Sequence, residues 1–460
     1  VYPVAMDAFY SDLNVAFGGE YRVETFAVGI GETASWEAGD YAFQGSNFHA
    51  DGTTPLVAMS IGAHGFAGFS PRQQGEWSRS NWAVYTDMEA DVIESLTIGA
   101  ALRYEAFQDF GDTLNGKLAA RWGITDNFAL RGSVSSGFRA PTPGQANVTK
   151  VSTVTDSDGE LIQSGQIPPT NPVALLIGGA PLQEETAMNY TLGAVWDATD
   201  NLTLTLDFFQ IKMEDRIASS GQIDIADALA PPGVGCDGLT VPQCLEAQGV
   251  AGASDLSSVR YYTNEFNTTT RGVDLVGTYV QDWGNIGITN FSLAWNYTET
   301  EVDSLGEFIN RDRLVELENY NPENRVVLSA NHMVGDFRFL FRANMYDDWT
   351  DANLGNFDAD DGSGDASHTP GETNYTIQCG AGDFCYKGKW VFDMEAAYTF
   401  NERYTIVVGG QNIFDEGGVD DGNNSAGPDF SDNSGQQYSE STHWGINGGF
   451  WYLRFRADFN

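Results

Sequence analysis

No run of eighteen apolar residues occurs anywhere in the chain, which excludes a transmembrane helix. Basic residues are scarce, 23 Lys and Arg against 64 Asp and Glu, for a net charge of −41. Such a chain would repel a phosphate backbone, so nucleic acid is excluded as a partner. The five histidines, His49, His64, His332, His368 and His443, are dispersed, with none at metal-ligand spacing from another. Phosphate-binding glycine loops, nucleophile elbows of the type Gly-x-Ser-x-Gly and zinc-hydrolase motifs are all missing. No catalytic constellation is indicated, and the chain is expected not to be an enzyme. Its start, "VYPVAMDAFYSDLNVAFGGEY", lacks the basic and apolar segments of a signal peptide and reads as a mature, cut or incomplete N-terminus.

Cysteine is sparse too, but its placement is informative. Four cysteines form two close pairs, Cys236 with Cys244 in "CDGLTVPQC" and Cys379 with Cys385 in "CGAGDFC". Neither has the Cys and His partners of a zinc site, and both lie among loop-forming residues. They read as small loop-closing disulfides in an oxidising compartment, with free thiols the alternative.

What the chain has in abundance is alternation of period two. In "WVFDMEAAYTF", Phe392, Met394, Ala396, Tyr398 and Phe400 share one face, opposite Asp393, Glu395, Ala397 and Thr399. "FRFLFRANM", "LTLTLDFF" and "FWYLRFRADF" repeat the pattern. One-sided sheets of soluble proteins alternate as well. Here, however, the apolar faces are crowded with Phe, Trp and Tyr, as an interfacial girdle requires. An arginine at the bilayer midplane costs about 2 to 4 kcal/mol, so the charged faces must look inward. Strands of about 9 to 12 residues suffice for a tilted crossing. Short connections such as "GITDN", "WDATDN" and "MVGD" alternate with long ones at 139–183, 218–258, 302–321, 349–388 and 415–441. This is the pattern of short periplasmic turns and long external loops. The predicted fold is therefore all-β, an antiparallel transmembrane β-barrel of about fourteen strands. Its long loops and cysteine pairs would be extracellular, its C-terminus periplasmic and its outer face in contact with outer-membrane lipid.

The segments "GFAGFSP" (65–71), "LTIGAALRYEAFQDFGDTLNGKLAARWGITDNFALRGSVSSGFRAPT" (96–142), "ETAMNYTLGAVWDATDNLTLTLDFFQIKMEDRI" (185–217), "TTRGVDLVGTY" (269–279) and "GGQNIFDE" (409–416) belong together. Jointly they resemble the C-terminal barrel portion of TonB-dependent outer-membrane receptors of Gram-negative bacteria. The resemblance implies the last fourteen strands of a 22-stranded plugged barrel, with residues 1–460 as its C-terminal part. The plug and first strands would lie outside this chain. It further implies uptake of a large scarce solute, such as a ferric siderophore, a cofactor or an oligosaccharide. Uptake would be energised by a periplasmic TonB-type protein pulling on a segment ahead of the plug. A passive pore and a secreted β-rich carbohydrate enzyme are the alternatives from other classes.

Specific residues carry these expectations. In "SSGFRAPT", Pro141 and Pro143 cannot donate to a ladder and end the strand, and Gly137 is expected to permit the bend. Inward-facing Arg103, Glu105, Lys117, Arg121 and Arg131 are candidates for plug contact, with mutual pairing across the sheet as the alternative. Trp36, Tyr41, Trp349 and Phe357, with Arg139 at a strand top, are candidates for ligand contact on the external loops. No cofactor is required, although "NFDADDGSGDAS" places Asp358, Asp360, Asp361 and Asp365 around two glycines, an oxygen-rich set that suits calcium. A closed barrel holding this chain should resist cold SDS and shift its migration only after boiling; identical migration before and after boiling would oppose the barrel.

Overall fold

The computed structural model describes every residue except 1, 6–7, 38–67, 72, 156–160, 221–222, 233–234, 237, 248–256, 307–310, 353–376, 378, 380–382, 418–441, 446 and 460. Fifteen strands form one sheet in chain order. They are β1 (Tyr2–Val4), β2 (Leu13–Val28), β3 (Gly75–Ile93), β4 (Leu96–Phe107), β5 (Asp112–Thr125), β6 (Phe128–Arg139), β7 (Glu185–Thr199) and β8 (Leu202–Ser219). They continue as β9 (Tyr262–Asp282), β10 (Ile288–Leu305), β11 (Asn324–Val334), β12 (Phe337–Tyr346), β13 (Lys389–Phe400), β14 (Tyr404–Gln411) and β15 (Phe450–Ala457). Every neighbouring pair is antiparallel, and the sheet is open, with β1 and β15 at its edges. The fourteen long strands match the expected count, and the three-residue β1 adds a stub paired to the start of β2.

Register explains why the alternation has two such different faces. Leu118 pairs with Val134 and Val134 with Tyr190, which builds an exposed apolar row across β5, β6 and β7. The other face carries a polar row running through Arg131, Gly193, Asp207, Asp274, Asn296, Arg325 and Tyr346, each the register partner of the next. This row starts near the short-turn end of β6 and reaches the long-loop end of β12, the stagger that tilted barrel strands require. At Gly193 an added Cβ would fall 1.9 Å from Asp207 Oδ1, so only glycine lets Arg131 reach across β7 to Asp207.

Three expectations need correction. Several strands exceed 9 to 12 residues; β9 has 21 and β3 has 19. The extra length lies at the long-loop end, where Phe266 and Val302 are buried against Leu314 of a helix in a long connection. The alternation of short and long connections breaks at 108–111, a tight turn in which Gly111 takes φ 129°. Finally, the long connections contain helices that periodicity did not reveal, at Pro143–Asn147, Pro172–Leu176, Val241–Ala247 and Arg311–Asn319. With 5 to 9 residues each, they are too short to display a 3.6-residue repeat.

The "SSGFRAPT" junction forms largely as expected. The strand ends at Arg139, Pro143 starts a helix, and Thr142 caps it in a reciprocal capping box with Gln145. Buried Arg79 donates to the Pro141 carbonyl and pairs with Glu24. Gly137, by contrast, stays in register with Ala187 and makes no bend. Beyond the long-loop end, strands Ile223–Asp224, Ser258–Arg260, Leu161–Gln166 and Lys150–Thr155 form a separate four-stranded sheet. It has a core of its own made from Ile167, Val173, Ala174, Ile225, Val241, Val259 and Tyr261. Both cysteine pairs are bonded as anticipated, with Cα separations of 5.3 Å for Cys236–Cys244 and 5.4 Å for Cys379–Cys385.

Leu102 projects from the apolar face at 55% exposure, while its neighbour Ala101 lies on the polar face. Leu102→Arg should cost about 2 to 4 kcal/mol in urea unfolding from lipid vesicles. Ala101→Arg should cost far less, and equal losses for the two would contradict the assignment of faces.

Candidate functional site

Three connections at the long-loop end, 306–323, 347–388 and 412–449, are tied into one body. Arg311, on the helix Arg311–Asn319, forms a two-pronged ion pair with Asp383, with Nη1 to Oδ1 at 2.8 Å. Both side chains are buried. Breaking such a pair from one side typically costs about 3 to 5 kcal/mol, because a buried charge is left alone. Asp383 starts the strand Asp383–Tyr386, which the Cys379–Cys385 bond braces and which pairs with Trp349–Ala352. Tyr386 stacks on Trp349 at 4.8 Å with planes 6° apart. His443 and Trp444 meet the same indole edge-on at 5.1 and 5.6 Å. His443 Nε2 lies 3.0 Å from the Tyr320 carbonyl oxygen. A carbonyl only accepts, so Nε2 carries the proton and Nδ1 is left as an acceptor.

Beneath this roof lies a cavity of about 290 Å³. Asn296, Thr298 and Thr300 of β10, Arg325 of β11, Tyr346 of β12 and His443 of the roof line it. The Arg325 guanidinium sits 5.0 Å over the Tyr346 ring and donates from Nη2 to the Tyr346 hydroxyl at 3.3 Å. Glu318, also in the lining, turns Oε1 to the backbone N–H of Val302 at 2.7 Å. Burial holds the His443 imidazole below its ordinary pKa, and nearby Arg325 adds to the effect; the Tyr320 carbonyl opposes both. Guanidinium, amide, hydroxyl and ring faces together line this cavity.

The residues singled out from sequence fall in different places. Trp349 joins the roof and is 3% exposed, its ring occupied by Tyr386, His443 and Trp444. Trp36 ends a short helical turn and donates to the Gly31 carbonyl at 3.1 Å. Arg139 pairs with Glu185 at 3.6 Å and does not line the cavity. Tyr41, Phe357, Asp358, Asp360, Asp361 and Asp365 lie outside the described residues. On the inner wall, Arg103 pairs with Glu105 at 2.7 Å and with Glu20 at 3.0 Å, and Arg131 pairs with Asp207 at 2.5 Å. Arg121 faces Arg131 in register, and neither it nor Lys117 has an ion partner among the described residues. Arg325, His443 and the Arg311–Asp383 pair were not foreseen, because each acquires its role from partners far away in the chain.

Residues 4–413 match the family model described as TonB dependent receptor-like, beta-barrel. The chain belongs to the TonB-dependent receptor family. A solved ferric enterobactin receptor mutant from Pseudomonas aeruginosa, in complex with enterobactin, is similar to this receptor chain with a TM-score of 0.60 and 13% identity. That match covers 99% of this chain and 53% of the other. The siderophore receptor PirA from Acinetobacter baumannii gives 0.56 and 13%, covering 98% of this chain and 53% of that one. An iron-regulated outer membrane virulence protein of Vibrio cholerae serotype O1 is 25% identical over 142 residues, 30% of this chain and 19% of the relative. The receptor chain thus spans about half the length of these solved structures and a fifth of the curated relative. No helix among the described residues is long and apolar enough to cross a membrane; the family crosses it with strands.

The depressed basicity of His443 fixes the sign of a pH effect. A histidine kept neutral by folding stabilises the fold fully above its ordinary value of 6.5, and that contribution is lost as pH falls below it. Tryptophan fluorescence of the folded receptor should therefore change on the acid side of pH 6.5, through Trp349 and Trp444. The change should disappear in His443→Phe; an unaltered acid transition in that variant would remove His443 from the seam.

Proposed function

We propose that this chain forms the wall and external binding face of an outer-membrane receptor that imports an iron chelate, energised through TonB and a plug domain. The observation that carries the reading is the family match over residues 4–413, on a sheet whose inner face is a continuous polar row ending at a cavity. Relatives described as siderophore receptors and an iron transporter from Neisseria meningitidis support iron as the cargo. In this reading the short turns are periplasmic, the long connections and both disulfides face the medium, and oxidation of the cysteines follows from that side. Arg121 and Lys117, inward-facing cations without an ion partner among the described residues, are assigned to contact with the plug. The receptor acts by binding: solute on the external face and pull from the periplasm must favour different plug states for transport to follow.

Uptake of radioiron supplied as several chelates, in iron-starved cells with and without the full-length gene, tests this reading. Loss of the gene should abolish uptake of at least one chelate, and collapse of the proton gradient should do the same in intact cells. Equal uptake with and without the gene for every chelate would overturn it.

A further inference from the structure

We propose that the cavity beneath the three-loop roof is a carboxylate-recognition site, in which Arg325 receives a carboxylate arm of the solute; for the solute being cargo, this rests on the import reading above. The connections at the long-loop end, 29–74, 108–111, 140–184, 220–261, 306–323, 347–388 and 412–449, hold 35 of the 64 acidic residues and 6 of the 23 basic ones. In that excess of carboxylate, Arg325 makes no ion pair among the described residues. It is nevertheless held in place, with its guanidinium carbon 5.0 Å from the centre of the Tyr346 ring and Nη2 anchored to the Tyr346 hydroxyl. Its Nε and Nη1 protons and the second Nη2 proton have no acceptor among the described residues, so an edge of the guanidinium, Nη2 with Nε or Nη2 with Nη1, is open to a two-pronged carboxylate bond.

The rest of the lining narrows the chemistry further. Asn296 is committed on both sides, donating to Asp274 at 2.8 Å and accepting from Thr298 at 3.0 Å. Thr300 shares a hydrogen bond with Thr270 at 2.9 Å, and Glu318 accepts from the backbone. That leaves Arg325, the Asn321 amide, the Tyr346 hydroxyl proton, the Thr298 hydroxyl oxygen and His443 Nδ1 toward a ligand, with the Glu318 carboxylate beside them. A carboxylate on the Arg325 donors with a neighbouring hydroxyl donating to His443 Nδ1 or to Glu318 fits this set. A volume of about 290 Å³ admits such an arm. The acidic surroundings make each further negative charge costly at low salt, so the solute carries few carboxylates. Two sources share this chemistry, a ferric hydroxycarboxylate chelate and a uronic-acid sugar.

Calorimetric titration of the full-length receptor and its R325Q and R325K variants distinguishes them. The probes are iron(III) citrate, iron-free trigalacturonate, a neutral iron(III) trihydroxamate and maltotriose. At least one carboxylate probe should bind, R325Q should weaken it by about tenfold or more, and R325K should restore part of the loss. SDS heat-modifiability of both variants should match the parent receptor. Binding of iron(III) citrate that depends on Arg325 identifies a chelate arm. Arg325-dependent binding of trigalacturonate alone upholds the site and overturns iron as cargo. Binding of the trihydroxamate with neither carboxylate overturns the site and leaves iron import standing. Failure of both carboxylates to bind, or unchanged affinity in R325Q, overturns the site.

Discussion

Within hydrocarbon there is no water to satisfy a backbone N–H or C=O, so every strand must bond fully to its neighbours. This constraint governs the rest of the molecule. An unbroken ladder fixes register, and register with period two assigns each side chain to lipid or to the interior. The polar row from Arg131 to Tyr346 is the direct product, since each member stands opposite the next across seven strands of this sheet. Gly193 is part of the same outcome: register places it between Arg131 and Asp207, where any side chain would occupy the space of their bond.

Much of this was legible in the residues. Phe337, Phe339 and Phe341 alternate with Arg338, Leu340 and Arg342, and the three phenylalanines stand exposed on one face while Arg338 reaches Glu395 on the other. The disulfides were legible because separations of 8 and 6 residues bring thiols together by chain proximity alone. The roof was not legible. Arg311 finds Asp383 across 72 residues, and His443 finds Tyr320 across 123. A helix of 9 residues joins that body with no periodicity to announce it. Local pattern reports local geometry, and contacts across long connections are set by the whole ladder beneath them. Arg325 shows the boundary well: alternation places it on the inner face, but only the fold sets Tyr346 under its guanidinium and His443 near it.

Charge is distributed along the same lines. Inside, most cations have partners: Arg103 with Glu20 and Glu105, Arg131 with Asp207, Arg338 and Arg454 with Glu395. At the long-loop end acidic residues prevail, and the roof keeps one ion pair away from water at Arg311 and Asp383. Mutual neutralisation along the wall leaves few uncompensated cations among the described residues, which makes Arg121, Lys117 and Arg325 stand out. Each faces the interior or the cavity, where another molecule or domain can supply the missing charge.

The four-stranded sheet beyond β6 to β9 draws its strands from two connections, with parallel pairing between Ser258–Arg260 and Leu161–Gln166. Its core and its Cys236–Cys244 bond are internal to those connections. Because that core lies inside the two connections, a substitution at Val173 or Ile225 acts first on the module's own packing. The module is seamed to the ladder at the strand ends by the Ser220 N–H to the Tyr261 carbonyl and the Gln183 N–H to Asn264 Oδ1.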